Sequence, residues 1–357
     1  MGEKLNMSKV MLRTIWVAHV IIVLHLLMIS TGCGKKATIP IQDVTPSLVW
    51  PLPPEKARIQ YLYSISRPED IGISPSFLEK TIGILAGKKS FRQMVRPHGV
   101  YFSRNEVLYV TDPGAQAVHI FNIKDRRYEQ LKKHGKKALR SPIGVTMDEE
   151  GLLYVSDSIL KRVFVFGPKG EPIREIGGED WFNRPTGIAI YPSLKRIYVV
   201  ETMDHAVRVF DLQGEFLFSF GQRGEDKGEF NFPTSLTIDQ NRNLYVNDSL
   251  NYRIQVFNPD GKSLRSFGKH GDGMGEFSNP KGVAIDTEGH IYVMDAIFDA
   301  VQIFDEEGKL LLYFGEAGQG PGEFWIPTSI FIDQANRIFV ADSYNQRIQV
   351  FKFLGGN

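Results

Sequence analysis

Pro280-Lys-Gly-Val-Ala-Ile-Asp-Thr-Glu-Gly-His-Ile-Tyr-Val-Met-Asp295, followed by Ala300-Val-Gln-Ile-Phe304, is the stretch on which the reading of this chain turns. Its apolar residues are rich in β-branched and aromatic types and alternate with small or polar ones, as short half-buried strands do. Thr287-Glu288-Gly289 and Asp305–Gly308 are turn chemistry. The stretch therefore predicts strand a over Gly282–Asp286, strand b over His290–Met294, strand c over Ala300–Phe304 and strand d over Lys309–Phe314. The same arrangement occurs six times. Its opening prolines are Pro97, Pro142, Pro185, Pro233, Pro280 and Pro327, spaced 45, 43, 48, 47 and 47 residues apart. That period marks a propeller or solenoid, in which one supersecondary unit is stacked on the next.

The inner spacing is strict. Strand b carries Tyr109, Tyr154, Tyr198, Tyr245, Tyr292 and Phe339. Twelve residues after each comes Phe121, Phe166, Phe210, Phe257, Phe304 and Phe351. Three residues after each comes an acid: Asp112, Asp157, Glu201, Asp248, Asp295 and Asp342. The expected fold is all-β, a six-bladed β-propeller of four-stranded antiparallel blades. The sixth repeat ends before its fourth strand. Arg58–Ser66, outside the repeats, has the β-branched and aromatic character to replace it. It is expected to pair with Arg347–Phe351 and close the ring, leaving no open blade edge.

The ends of the chain differ in kind. Lys4, Lys9 and Arg13 precede an almost wholly apolar run from Ile15 to Ile29, then Ser30-Thr31-Gly32-Cys33. A basic region, a short apolar stretch and small residues are the parts of a secretory signal. The Ser-Thr-Gly-Cys ending resembles a bacterial lipobox, with Ser30 where Leu is usual. That resemblance implies a lipoprotein signal peptide over 1–32, lipidation of Cys33, and an extracytoplasmic protein held on a membrane. Gly34, where an inner-membrane retention signal often has Asp, favours the outer membrane by the same resemblance. Residues 33–56 contain Pro40, Pro46, Pro51, Pro53 and Pro54 and predict an extended tether. Residues 57–95 hold the closing strand and a connecting segment with a short helix expected over Ser76–Leu85. The propeller is expected over 96–357.

Composition excludes some classes. The formal net charge of the 357 residues is +1. Three of the 42 basic residues fall in 1–32 and nine in 33–95, so the repeats hold 30 basic against 35 acidic residues. A mildly acidic propeller does not attract a phosphate backbone, so no nucleic-acid partner is expected. Cys33 is the one cysteine, so packing, not an internal disulfide, must stabilise the fold.

The Pro-x-Gly/Ser-apolar, Tyr-Val-x-Asp and Arg-Ile-Gln-Val-Phe segments resemble NHL repeats over about 96–351. So do the linkers Gly221–Phe230, Gly268–Phe277 and Gly315–Phe324. The resemblance implies a six-bladed propeller and does not fix an activity. The NHL class includes RNA- and protein-binding modules, the amidating lyase of peptide-hormone maturation and bacterial lipoproteins, and the signal and tether resemble the last group.

In this topology the d-to-a linkers and b-to-c turns share one face. Residues following the repeat prolines, where strand a enters the channel, include His98, Thr186, Thr234, Lys281 and Thr328. The b-to-c turns add His205 and Tyr252, and the linkers add Trp181 and Trp325, which break the repeat pattern. These nine are the candidate binding residues, since exposed aromatics make good anchors. Phe230, Phe277 and Phe324 recur in register and are expected to pack between blades. The six strand-b acids, present in every repeat, are expected to bond turn amides, with Arg162, Arg253 and Arg347 as partners for Asp157, Asp248 and Asp342. No metal or cofactor is expected: the amidating lyase uses a channel zinc with several histidines, and only His98 and His205 face one mouth here. The leading expectation is a lipid-anchored binding scaffold for an envelope protein, peptide or glycan. The alternative is a channel-centred hydrolase or lyase using His98, Lys281 and Glu201.

Overall fold

The computed structural model describes residues 48–74, 93–178 and 180–355. The signal segment, Cys33, the tether up to 47 and the helix expected over Ser76–Leu85 lie outside the described residues. Six antiparallel sheets follow one another in the order the repeats demand. Strands a to d are Val100–Phe102, Val107–Asp112, Ala117–Asn122 and Arg127–Leu131 in blade 1, and Pro142–Met147, Leu153–Asp157, Arg162–Phe166 and Pro172–Gly177 in blade 2. Blade 3 has Pro185–Tyr191, Arg196–Glu201, Ala206–Asp211 and Phe216–Phe220. Blade 4 has Pro233–Ile238, Leu244–Asp248, Arg253–Phe257 and Ser263–Phe267. Blade 5 has Pro280–Ile285, Ile291–Asp295, Ala300–Phe304 and Leu310–Phe314.

Blade 6 takes Ser329–Ile332, Arg337–Asp342 and Arg347–Phe353 from the C-terminal end of the chain and Ile59–Ile65 from the other. Ile59 pairs with Phe353 and Ile65 with Ile348, antiparallel, with a bulge between Tyr61 and Tyr63. The expected closing strand is thus in place. One expectation needs correcting. The segment assigned to the tether is not all tether, because Val49–Trp50 forms a fifth strand on Ile59–Gln60. The Trp50 ring lies 5.7 Å from Phe314 and 5.8 Å from Phe351, so apolar contact across blades 5 and 6 holds this segment despite its prolines.

The repeat residues have separable jobs. The aromatic residues of strands b and c fill the layers between blades; Tyr154, Tyr198, Tyr292 and the Phe121 series are buried. Tyrosine serves there because its hydroxyl reaches the a-to-b turn. Tyr154 donates to Asp148 at 3.0 Å, Tyr245 to Asp239 at 3.2 Å and Tyr292 to Asp286 at 3.0 Å. The Pro-x-Gly element answers to the crowding of inner strands around the axis. A Cβ on Gly144 would lie 2.3 Å from the Thr186 carbonyl oxygen. Polar groups then tie one blade to the next. Thr111 Oγ1 donates to Ile143 O at 2.6 Å, Ser156 Oγ to Thr186 O at 2.5 Å and Thr202 Oγ1 to Pro233 O at 2.8 Å. Asn247 Nδ2 donates to Pro280 O at 2.7 Å, and Thr328 Oγ1 joins blade 6 to Pro97 O at 3.2 Å. Between blades 5 and 6 the equivalent position is Met294, which has no such donor.

Each later linker turns through a glycine pressed on a buried ring. Gly221 has φ +91°, and a Cβ there would sit 2.4 Å from the Phe230 ring. Gly289 has a similar φ of +89° but open space beside it. Gly221→Ala is therefore expected to cost roughly 2–4 kcal/mol, combining left-handed strain with overpacking, and Gly289→Ala about 1 kcal/mol from strain alone. Denaturant midpoints of the two variants check this; equal losses would refute the packing part.

Candidate functional site

The six inner strands enclose a channel of about 1070 Å³ that runs through the disc. Two residues after each proline its wall turns small, as at Gly99, Gly144, Gly187, Ser235 and Ser329. Side chains gather at the two mouths. On the face of the a-to-b turns, Arg104, Glu106, Asp239, Arg242, Asp286 and Asp333 form a rim of mixed charge. Much of that rim is occupied locally: Asp239, Asp286 and Asp333 accept the amides of their own turns.

The opposite mouth is different. His98, Arg184, Thr186, Thr234, Lys281 and Thr328 line it. Thr186 and Thr202 share a hydrogen bond of 2.8 Å, Thr234 Oγ1 donates to the Lys281 carbonyl at 3.1 Å, and Thr328 is used in ring closure. Three cationic or protonatable side chains remain. Neither the Arg184 guanidinium nor the Lys281 ammonium has a hydrogen bond or ion pair among the described residues. His98 Nδ1 is buried and without a hydrogen-bond partner. Burial lowers the Lys281 ammonium below its usual range, and Arg184 adds repulsion against the weaker pull of Asp295. Burial, then Lys281, pushes the His98 imidazole down to about 4; Arg184 acts in the same direction and the Ile143 carbonyl opposes it.

The acids nearby are spent on structure. Asp295 accepts the amides of Ser278, Asn279, Ile297 and Phe298. Asp157 accepts those of Arg140, Ser141 and Leu160. Asp248 and Asp342 bind Arg253 and Arg347 at 2.8 and 2.7 Å. Arg162 departs from the expected pairing and reaches Glu175 at 2.5 Å, because Asp157 is filled by amides. Glu201 accepts the amides of Asn183, Arg184 and Met203, and burial pushes its carboxyl up. It therefore does not join His98 and Lys281 in an acid–base pair. Among the described residues no three His, Cys, Asp or Glu side chains cluster as a metal site.

Four candidates lie off the channel. His205 is buried, and its Nδ1 accepts the Phe232 amide at 3.1 Å, so its ring holds a turn. Tyr252, at φ +53°, lays its ring 4.2 Å from His270. Trp181 lies 4.6 Å from Phe216, and Trp325 is 5.5 Å from Tyr344; both remain partly exposed on the loop face. Phe230, Phe277 and Phe324 are buried between blades, as expected.

Two features escaped the sequence reading. Arg184 sits before its proline, two positions ahead of the register searched. The second is an apolar crown two residues beyond each strand-b acid, at Ile159, Met203, Leu250, Ile297 and Tyr344, with Gly114 in blade 1. Ile159 is 61% exposed and Ile297 62%. Arg96 rests on the Tyr344 ring at 5.2 Å. Reading the six turns in register would have revealed the crown.

NHL repeat-containing protein 2 of Gallus gallus is 26% identical over 183 residues, which is 42% of this chain and 25% of that protein. Residues 186–246, 240–300 and 287–357 match a family described as a 6-bladed beta-propeller. The chain is an NHL-repeat six-bladed β-propeller. It spans about a quarter of that curated relative. Among solved structures, the NHL propeller resembles a Bacteroides thetaiotaomicron protein of unknown function, with TM-score 0.58, 16% identity and coverage of 83% of this chain and 75% of that one. It also resembles a catalytically inactive virginiamycin B lyase from Staphylococcus aureus with quinupristin, at TM-score 0.55 and 15% identity, covering 72% of this chain and 95% of that one. At these identities the likeness is one of fold.

Proposed function

We propose that this NHL propeller is a binding scaffold, held by a lipid on Cys33 on an extracytoplasmic membrane face, that grips a protein or peptide with its loop face. The apolar crown carries the reading. Five large apolar side chains are exposed at one repeat position on the b-to-c turns, with Leu250 reaching the channel wall, and buried contacts of this kind supply most of the energy of protein recognition. Trp181 and Trp325 extend the apolar surface outward. The channel mouth supplies polar selection, and the disc keeps both rigid. The lipobox-like sequence supports the anchor and the envelope location.

A photo-crosslinking residue placed at Ile159 or Ile297 of the full chain, in its own membranes, is expected to give one discrete adduct. The same residue at Leu217 or Leu311, exposed on outer strands of blades 3 and 5, is expected to give none. Cys33→Ser is expected to abolish incorporation of a lipid label. Crosslinks from the outer strands alone would remove the loop face as the binding surface.

A further inference from the structure

We propose that the channel mouth on the face of the apolar crown is an anion subsite, in which Arg184, Lys281 and His98 receive a carboxylate of the bound peptide, either an acidic side chain or a chain terminus. The inference rests on the binding-scaffold reading and deepens it by naming what the mouth selects.

The argument begins with what the site lacks. Two cations and an imidazole share one cavity wall; Lys281 and Arg184 both disfavour a proton on His98, and Arg184 disfavours the one on Lys281. Like charges brought together disfavour one another's charged form. Elsewhere the propeller pairs such charges: Arg253 and Arg347 each meet a buried carboxylate and linker carbonyls. Near the mouth, the carboxylates of Asp295 and Glu201 point their acceptor capacity at backbone amides. Asp204 is bound to Arg208, and Asp299 accepts the Ile326 amide. None of these four acids pairs with Lys281 or Arg184. The cationic group is therefore open to an anion from outside.

The surroundings select the kind of anion. The crown offers exposed apolar contact on the same face, with Leu250 on the channel wall, which suits a peptide that buries apolar side chains as it inserts one carboxylate. Arg184 supplies a planar donor set that fits a carboxylate two-pronged, and Lys281 a point charge. His98 Nδ1, buried without a partner, gains one if it donates to the incoming oxygen. Binding should then draw a proton onto His98, because an adjacent negative charge favours the imidazolium.

His98 makes the subsite measurable. In the empty protein its midpoint of about 4 lies below the ordinary 6.5. Between those values the unfolded chain binds more protons, so the empty protein loses stability as pH falls through this window. The probe is trifluoroacetate, whose carboxylate stays ionised throughout, with trifluoroacetamide as the neutral control and inorganic phosphate as the rival anion. The His98 titration is followed by NMR in the full-length protein in detergent, assigned with His98→Asn. Trifluoroacetate is expected to raise the midpoint by about one unit, a tenfold change in proton affinity. The amide is expected to leave it unchanged. Lys281→Gln should raise the midpoint without any anion and abolish the response, as should Arg184→Gln, with thermal unfolding confirming that both variants are folded.

A midpoint that ignores trifluoroacetate, or a Lys281→Gln protein that responds like the wild type, would overturn the subsite. A response to phosphate alone would overturn the carboxylate assignment. If the subsite fails while crosslinks from Ile159 and Ile297 persist, the scaffold reading stands without it. If those crosslinks fail as well, both fall.

Discussion

A chain that begins after Arg67 is expected to lose cooperative unfolding and to aggregate, whereas one that begins at Pro46 should unfold as the full protein does. The strand Ile59–Ile65 is the fourth strand of blade 6, with only Val49–Trp50 outside it. Ile59 and Ile65 are fully buried, and Trp50 and Tyr61 pack on Phe351. Burying these four side chains contributes roughly 6–12 kcal/mol at about 1.5–3 kcal/mol each. That rivals the 5–15 kcal/mol of net stability typical of a domain. Removing the strand also bares the edge of Arg347–Phe353, which would offer unpaired main-chain groups to other molecules. Full-length Ile65→Asp should approach the same outcome by burying a charge in that layer. Calorimetry with light scattering checks both; a two-state transition near the wild-type temperature for the shortened chain would show that the ring closes without the strand.

The closing strand was legible in the sequence for a reason that applies to the whole fold. A propeller repeats one set of physical constraints, and each leaves a residue in register: glycine where inner strands crowd, tyrosine where a hydroxyl reaches a turn, an acid where amides converge. Six copies make these constraints visible. Arg58–Ser66 could be identified because the sixth copy lacked a part. Val49–Trp50 was not legible, because two residues are too few for alternation and the surrounding prolines speak for extended chain. Its reason for folding back, the Trp50 ring against Phe314 and Phe351, is tertiary.

The site was legible where the register pointed into the channel. His98, Thr186, Thr234, Lys281 and Thr328 line it because each directly follows its repeat proline, where the chain enters the channel wall. Departures from the repeat were a poorer guide to it. Trp181 and Trp325 lie away from the channel with neighbouring rings beside them. His205 proved to be a turn support. Arg184 was missed because it lies two residues ahead of that position, on the linker. The threonines also changed meaning, since their hydroxyls are engaged in hydrogen bonds within and between blades.

Asp295→Ala is expected to cost about 3–5 kcal/mol and to abolish the anion response of the mouth. The carboxylate is buried and accepts main-chain amides from two segments: Ser278 at 2.7 Å and Asn279 at 2.9 Å in the linker, Ile297 at 3.0 Å and Phe298 at 3.3 Å in the turn. Each buried amide left without an acceptor costs about 1–3 kcal/mol, less the relief water brings where it enters. Asp295→Asn keeps one oxygen but turns an NH2 toward an amide, so its loss should fall between alanine and wild type. The functional half follows from chain continuity. Ser278-Asn279 leads directly through Pro280 into Lys281, and Ile297 belongs to the crown. One carboxylate therefore fixes both the cation and the apolar contact beside it. Denaturant unfolding gives the stability loss, and the His98 midpoint with trifluoroacetate gives the coupling. A destabilised Asp295→Ala protein whose His98 still responds in full would mean that Lys281 is positioned by strand a alone.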